Sequence, residues 1–266
     1  MSARELLRDG AAREALAALK QEVRQAPRDA RLRTFLFQLF CVFGEWDRAL
    51  MQLDAAAALD PQAVPMQHAY RAAIRCEVLR GHVFAAARTP TILGAPDPWM
   101  PLLMEALRGL AGGRAAEAAA LREQAFEAAP ASAGTCDGVP FAWIADADPR
   151  LGPMLEAFID GMYYWVPFHR LAAVQIEPPA DLRDQVWMPA QFVWTNGGTA
   201  AGFVPTRYPG SEQAADASFA LARRTEWRDA GAGWFLGFGQ RMLATDAGEA
   251  ALMEIRRIAF ATAHAG

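Results

Sequence analysis

The chain has 266 residues, 53% of them apolar and 21% charged, with a net charge of −4. That length suits one large domain or two of roughly 100–150 residues, and the composition supports a packed core and excludes a disordered chain. The mild negative charge points away from nucleic acid or an anionic membrane as partner. No apolar run reaches the roughly 20 residues a bilayer crossing needs.

The N-terminus, with Arg4, Glu5, Arg8 and Asp9, reads as a charged helix start rather than a secretion signal. Next, Leu32, Phe35, Leu36, Leu39, Phe40 and Phe43 recur at steps of three and four, the spacing of one helix face. After Gly44, a second stripe follows: Trp46, Ala49, Leu50, Leu53, Ala56 and Leu59, closed by Pro61. Two apolar stripes facing each other across a glycine make a helical hairpin.

The hairpin recurs. Pro27, Pro61, Pro96 and Pro130 are separated by 34, 35 and 34 residues. Gly10, Gly44 and Gly113 each stand 17 residues before a proline, with Ala15, Ala49 and Ala118 at a common offset. A period of this length with these markers resembles a tetratricopeptide repeat. The unit from Gln62 to Pro96 departs from it, with its glycine, Gly81, three residues late. The pattern predicts an α-helical repeat domain over residues 1–130, whose stacked hairpins leave a concave face suited to a peptide or helix. Met100, Leu103 and Leu107, with Leu110, share a helix face and are candidate groove residues.

Beyond Gly134 the helical rhythm stops, and six of the eight tryptophans follow residue 130. The stretches 152–160 and 211–224 read as helices, the second capped by Ser211. Strands are expected over 163–166, 171–176, 186–194, 199–204, 234–238, 241–245 and 251–258. Asn196-Gly197-Gly198 and Asp246-Ala247-Gly248 mark hairpins. The fold class is therefore α+β: tetratricopeptide-like hairpins, then a mostly antiparallel β-rich domain (131–266) with one or two helices, docked on the last repeat helices.

Five strings in this half carry a resemblance: Phe141–Pro153 (FAWIADADPRLGP), Tyr163–Phe168 (YYWVPF), Pro178–Trp187 (PPADLRDQVW), Arg207–Gly210 (RYPG) and Gly237–Arg241 (GFGQR). In this order they resemble the ImpE family, also called SciE or TagJ, accessory proteins of bacterial type VI secretion systems. The resemblance implies a non-enzymatic cytoplasmic adaptor. Its implied partners are the N-terminal helix of the small contractile-sheath subunit and the ATPase that disassembles spent sheath.

Asp146, Asp148 and Arg150 could form an acid-base or cation site and so a hydrolase or nucleotide-dependent enzyme. The competing expectation is a turn, with Asp148 capping a helix after Pro149 and Arg150 pairing locally. His68, His82, His169 and His264 lack metal-ligand spacing, and Ser211 and Ser218 lack a nucleophile elbow. Gly237-Phe238-Gly239 reads as a close backbone approach in a strand, not a phosphate loop. Cys41, Cys76 and Cys136 have no paired spacing and fit buried thiols in a reducing compartment. Neither metal nor cofactor is expected. Trp165 and Trp187 are core residues or interface anchors, with Arg183 and Arg207 beside them as candidate partner contacts.

Overall fold

A computed structural model describes residues 1–261, so His264 lies outside the described residues. The helical part comprises α1 (Ala3–Arg8), α2 (Ala12–Gln25), α3 (Ala30–Val42), α4 (Trp46–Leu59), α5 (Val64–Phe84), α6 (Met100–Ala111) and α7 (Ala115–Ala128). Gly10, Gly44 and Gly113 sit between the helices of the three hairpins α1–α2, α3–α4 and α6–α7, each with φ between 66° and 85°. Each turn closes identically. At the middle one Gly44 N–H donates to Cys41 O (3.2 Å) and Glu45 N–H to Phe40 O (2.9 Å). This left-handed cap satisfies the last carbonyls of the first helix, and glycine adopts it without a Cβ penalty.

The irregular third unit is not a hairpin. Helix α5 runs straight through Gly81 for 21 residues, and the chain then forms a two-residue strand, β1 (Thr91–Ile92), before α6. β1 leaves the helices altogether and joins the sheet, pairing parallel with β6 (Met162–Pro167).

The remaining strands are β2 (Gly134–Cys136), β3 (Val139–Phe141), β4 (Ile144–Asp146), β5 (Met154–Ile159), β7 (Leu171–Ile176), β8 (Trp187–Trp194), β9 (Thr199–Pro205), β10 (Thr225–Asp229), β11 (Phe235–Gly239), β12 (Met242–Thr245), β13 (Gly248–Ala251) and β14 (Arg257–Phe260). Seven of them join β1 and β6 in one nine-stranded sheet, in the order β1-β6-β5-β9-β8-β7-β14-β2-β3, with a separate three-stranded sheet β13-β12-β4 and the ribbon β10-β11. All pairings but β1–β6 are antiparallel. Both expected hairpins are present, β8–β9 around Asn196-Gly197-Gly198 and β12–β13 around Asp246-Ala247-Gly248.

Three expectations are corrected. Residues 152–160 hold strand β5, not a helix. β5 is buried on both faces: Met154 and Phe158 join the core shared with the helices, while Leu155, Ala157 and Ile159 face a second core. A strand covered on both sides has no polar alternation to announce it. Residues 211–224 hold only a 3-10 turn at Ser211–Gln213 and the four-residue helix α8 (Ala217–Ala220), whose cap is Asp216. The run 251–258 is split by a turn between β13 and β14.

The sheet docks more widely than on the last helices. The main core cluster interleaves Phe37, Tyr70, Ile74 and Val83 of the helices with Trp165, Trp187 and Phe158 of the sheet. Tyr70 lies 5.9 Å from Trp187 and 5.3 Å from Phe203, and Phe84 lies 6.1 Å from Trp165, ring centre to ring centre. The α6–α7 hairpin meets the sheet half at Trp234, whose Nε1 donates to Ala115 O at 3.1 Å.

Inside this junction Arg80 of α5 is 1% exposed. Its guanidinium grips Glu156 of β5 with two hydrogen bonds (2.7 and 2.9 Å) and also donates to Glu77 (2.8 Å) and to Arg207 O (2.9 Å). Removing one partner of such a group strands an uncompensated buried charge. Arg80→Met is therefore expected to cost about 3–5 kcal/mol of stability in chemical denaturation followed by tryptophan fluorescence. Arg108→Ala, which breaks an exposed pair with Glu105, should change it by less than about 0.5 kcal/mol.

Candidate functional site

The seven residues singled out from the sequence hold the molecule together. Met100, Leu103 and Leu107 of α6 are buried in the main core, as are Trp165 and Trp187. Trp187 Nε1 donates to Glu77 Oε2 (2.9 Å), and Trp165 Nε1 to the Tyr163 hydroxyl (2.6 Å). Arg207, 1% exposed, donates to Val42 O (2.6 Å) and Cys41 O (2.9 Å). It thereby satisfies carbonyls at the C-terminal end of α3, where a cation is favoured. Arg183 is the one partly exposed member. It pairs with Asp181 and lies 4.7 Å from the Tyr70 ring centre.

The acidic turn is likewise closed. Asp148 is fully buried and accepts from its neighbour Arg150 (Nε, 2.9 Å) and from Gly237 N–H (2.8 Å). No helix follows Pro149; the chain turns at Asp148 to Gly152 and enters β5. Asp146 pairs with Arg241 and accepts from the Tyr208 hydroxyl (3.2 Å). Arg241 in turn pairs with Glu156, which also accepts from Tyr163. Gly237 is glycine because a Cβ there would stand 2.3 Å from the Tyr208 ring, the close approach that the Gly-Phe-Gly string suggested. Burial raises Asp146, against the pull of Arg241, to about 6. Burial acts the same way on Glu156, but Arg80 and Arg241 together outweigh it and hold that carboxyl at about 2. Each carboxylate is thus committed to a cation on the inside of the fold, with no open coordination. Among the described residues no group of three histidines, cysteines or carboxylates is placed to hold a metal ion. No helix among them is long and apolar enough to cross a membrane.

An open cleft of about 680 Å3 lies elsewhere, on the helical face. Arg4, Leu7 and Arg8 of α1 and Ala30, Arg31, Thr34, Phe35 and Gln38 of α3 line its helical side. Asp60 and Ala63, in the turn before α5, close one end. The other side comes from the sheet half: Leu182, in the 3-10 turn Leu182–Gln185, and Arg223. A second hollow of about 360 Å3 shares Leu7, Leu182 and Arg223 and extends along Pro179, Ala180, Asp181 and Gln185. The two make one trough with an apolar line through Leu7, Phe35 and Leu182.

None of the seven expected residues lines this trough; Arg183 comes nearest, through its partner Asp181. The sequence held a signal that could have found it. Arg4 and Arg8 stand four apart on α1, as do Arg31 and Phe35 on α3, a spacing that puts each pair on one helix face.

Residues 138–259 match the family described as ImpE protein. Over 260 residues the chain is 48% identical to the type VI secretion system accessory component TagJ of Pseudomonas aeruginosa, spanning 98% of this chain and 91% of that protein. Its fold is similar to a crystal structure of a Vibrio parahaemolyticus protein, with a TM-score of 0.88 and 23% identity over 97% of each chain.

The buried carboxylates make opposite pH contributions. Glu156 titrates near 2 when folded, against an ordinary value of 4.5, so its stabilising share is complete above about pH 4.5 and lost as pH falls towards 2. Asp146, raised from 3.8 to about 6, makes a contribution that is greatest below its unfolded value and lost as pH rises through the folded one. In denaturation midpoints from pH 2 to 4.5, Glu156→Gln should flatten the wild-type rise. An unchanged slope would mean that Glu156 is not ionised in the fold.

Proposed function

The chain belongs to the ImpE family, and on that premise we propose that it is a non-enzymatic accessory component of a bacterial type VI secretion system, acting as an adaptor in the cytoplasm. The relative that is 48% identical bears that accessory role in its name. The observation that carries the adaptor reading is the contrast between two regions. The only acidic cluster the sequence offered for chemistry is spent on internal ion pairs. The trough between α1, α3 and the Leu182–Gln185 turn is open, presents Leu7, Phe35 and Leu182, and is built from both halves.

The occupant we propose is the N-terminal helix of the small contractile-sheath subunit, laid into the trough with its apolar side on Leu7, Phe35 and Leu182, in the helix-in-groove mode. The paired helices α1–α2, α3–α4 and α6–α7 then act as degenerate tetratricopeptide-like repeats whose concave side supplies the floor. Bound there, the adaptor would link the sheath subunit to the ATPase that dismantles spent sheath. One short helix buries less than the roughly 1,600 Å2 of a standard interface, so binding in the micromolar range is expected.

The test is co-purification and calorimetry with the sheath subunit, intact and lacking its N-terminal helix. Micromolar binding of the intact subunit, abolished by the deletion, is the expected result. Undiminished binding of the truncated subunit would overturn the proposal.

A further inference from the structure

The charge of the trough runs against the charge of the chain. The protein as a whole carries −4, yet Arg4, Arg8, Arg31 and Arg223 line the trough against two carboxylates, Asp60 and Asp181, the latter already paired with Arg183. Among the described residues none of the four arginines makes an ion pair. Asp60 is already engaged, accepting from Gln62 N–H at 2.9 Å. Arg31 stands in the first turn of α3, whose free N–H groups are capped by the Asp29 carboxylate, and its own guanidinium makes no ion pair with that cap. Arg4 lies over Phe35, 5.9 Å from the ring centre, and joins the charged rim to the apolar floor.

Resting on the adaptor reading, we infer that the segment occupying this trough is an amphipathic helix with an acidic flank. Its apolar residues face Leu7, Phe35 and Leu182, and its Asp or Glu side chains on the flank meet Arg4, Arg8 and Arg31 of the helical side and Arg223 of the sheet half. Charges at a rim set encounter rate and register more than depth of binding. They also reject a basic helix of equal hydrophobicity, because like charges placed across an interface are strongly unfavourable. A nucleic acid would meet the same arginines, but the apolar floor gives a sugar-phosphate chain no partner, and the −4 net charge repels it at long range.

The experiment titrates the full-length protein with a synthetic peptide of the sheath subunit's N-terminal helix, and with the same peptide after its Asp and Glu are replaced by Asn and Gln. Arg8→Glu and Arg31→Glu change exposed side chains, so the fold should not be disturbed. Phe35→Ala and Leu182→Ala alter the apolar floor line that Phe35 and Leu182 share, with thermal unfolding as a check on folding. Each charge reversal should weaken the acidic peptide about 3- to 10-fold, on the scale of exposed ion pairs, while Arg31→Lys restores most of the loss. The neutralised peptide should be indifferent to the reversals. Affinity for the acidic peptide should also fall as ionic strength rises from about 0.01 to about 1 M, where the screening length drops from roughly 30 to 3 Å.

If the floor variants lose binding while the reversals and salt do nothing, the acidic flank is wrong and the trough still stands. If floor and rim variants all bind like the wild type, the trough is not the docking site and both readings fall.

Discussion

A single guanidinium, that of Arg80, is the point on which the two halves of the chain are registered. It projects from α5, the helix that breaks the repeat, and closes a bidentate pair with Glu156 in a strand buried on both sides. From there the network runs through Arg241 to Asp146 and through Glu77 to Trp187. Such a network contributes little net stability, because desolvating the charges offsets most of their attraction. The aromatic packing of Tyr70, Phe84, Trp165 and Trp187 around it supplies the energy. The ion pairs dictate which geometry that packing adopts, since any slip between α5 and β5 would leave a charge without a partner.

That registration is what makes the trough a preformed object. One wall is helical, from α1 and α3, and the other is the Leu182–Gln185 turn with Arg223. The turn is fixed twice, by the Asp181–Asp184 capping box and by Arg183 over the Tyr70 ring. Arg207 meanwhile ties the end of α3 to the sheet half through Cys41 and Val42 carbonyls. A binding surface whose walls do not have to be ordered on association loses less entropy when it is filled. Six of the seven residues first suspected of touching a partner are buried inside the fold, and Arg183 is partly exposed.

Local patterns with a short physical reach were legible in the sequence. Gly10, Gly44 and Gly113 announced three helical turns because only a left-handed residue closes them. Asn196-Gly197 and Asp246-Ala247-Gly248 announced hairpins for a related reason. What could not be read depended on partners distant in the chain. Met154–Ile159 is buried on both sides because two cores meet at it, and a short run broken only by Glu156 fits helix or strand equally. Trp187 and Arg207 have the composition of interface anchors, and both are buried between the helical and sheet halves of the molecule. The strings that carried the family resemblance are mostly this internal framework: Asp146, Asp148, Arg150, Tyr163, Trp165, Trp187, Arg207, Tyr208 and Arg241 all belong to it. The string Pro178–Trp187 is the exception, because Pro179, Ala180, Asp181, Leu182 and Gln185 line the trough.

The most direct measurement is hydrogen-deuterium exchange of the full chain with and without the sheath subunit. Protection gained on binding should be concentrated in residues 3–8, 30–38 and 179–185, the lining of the trough, while the α5–β5 junction exchanges slowly and equally in both states. Protection appearing instead around residues 143–149, with the trough segments unchanged, would contradict docking in the trough.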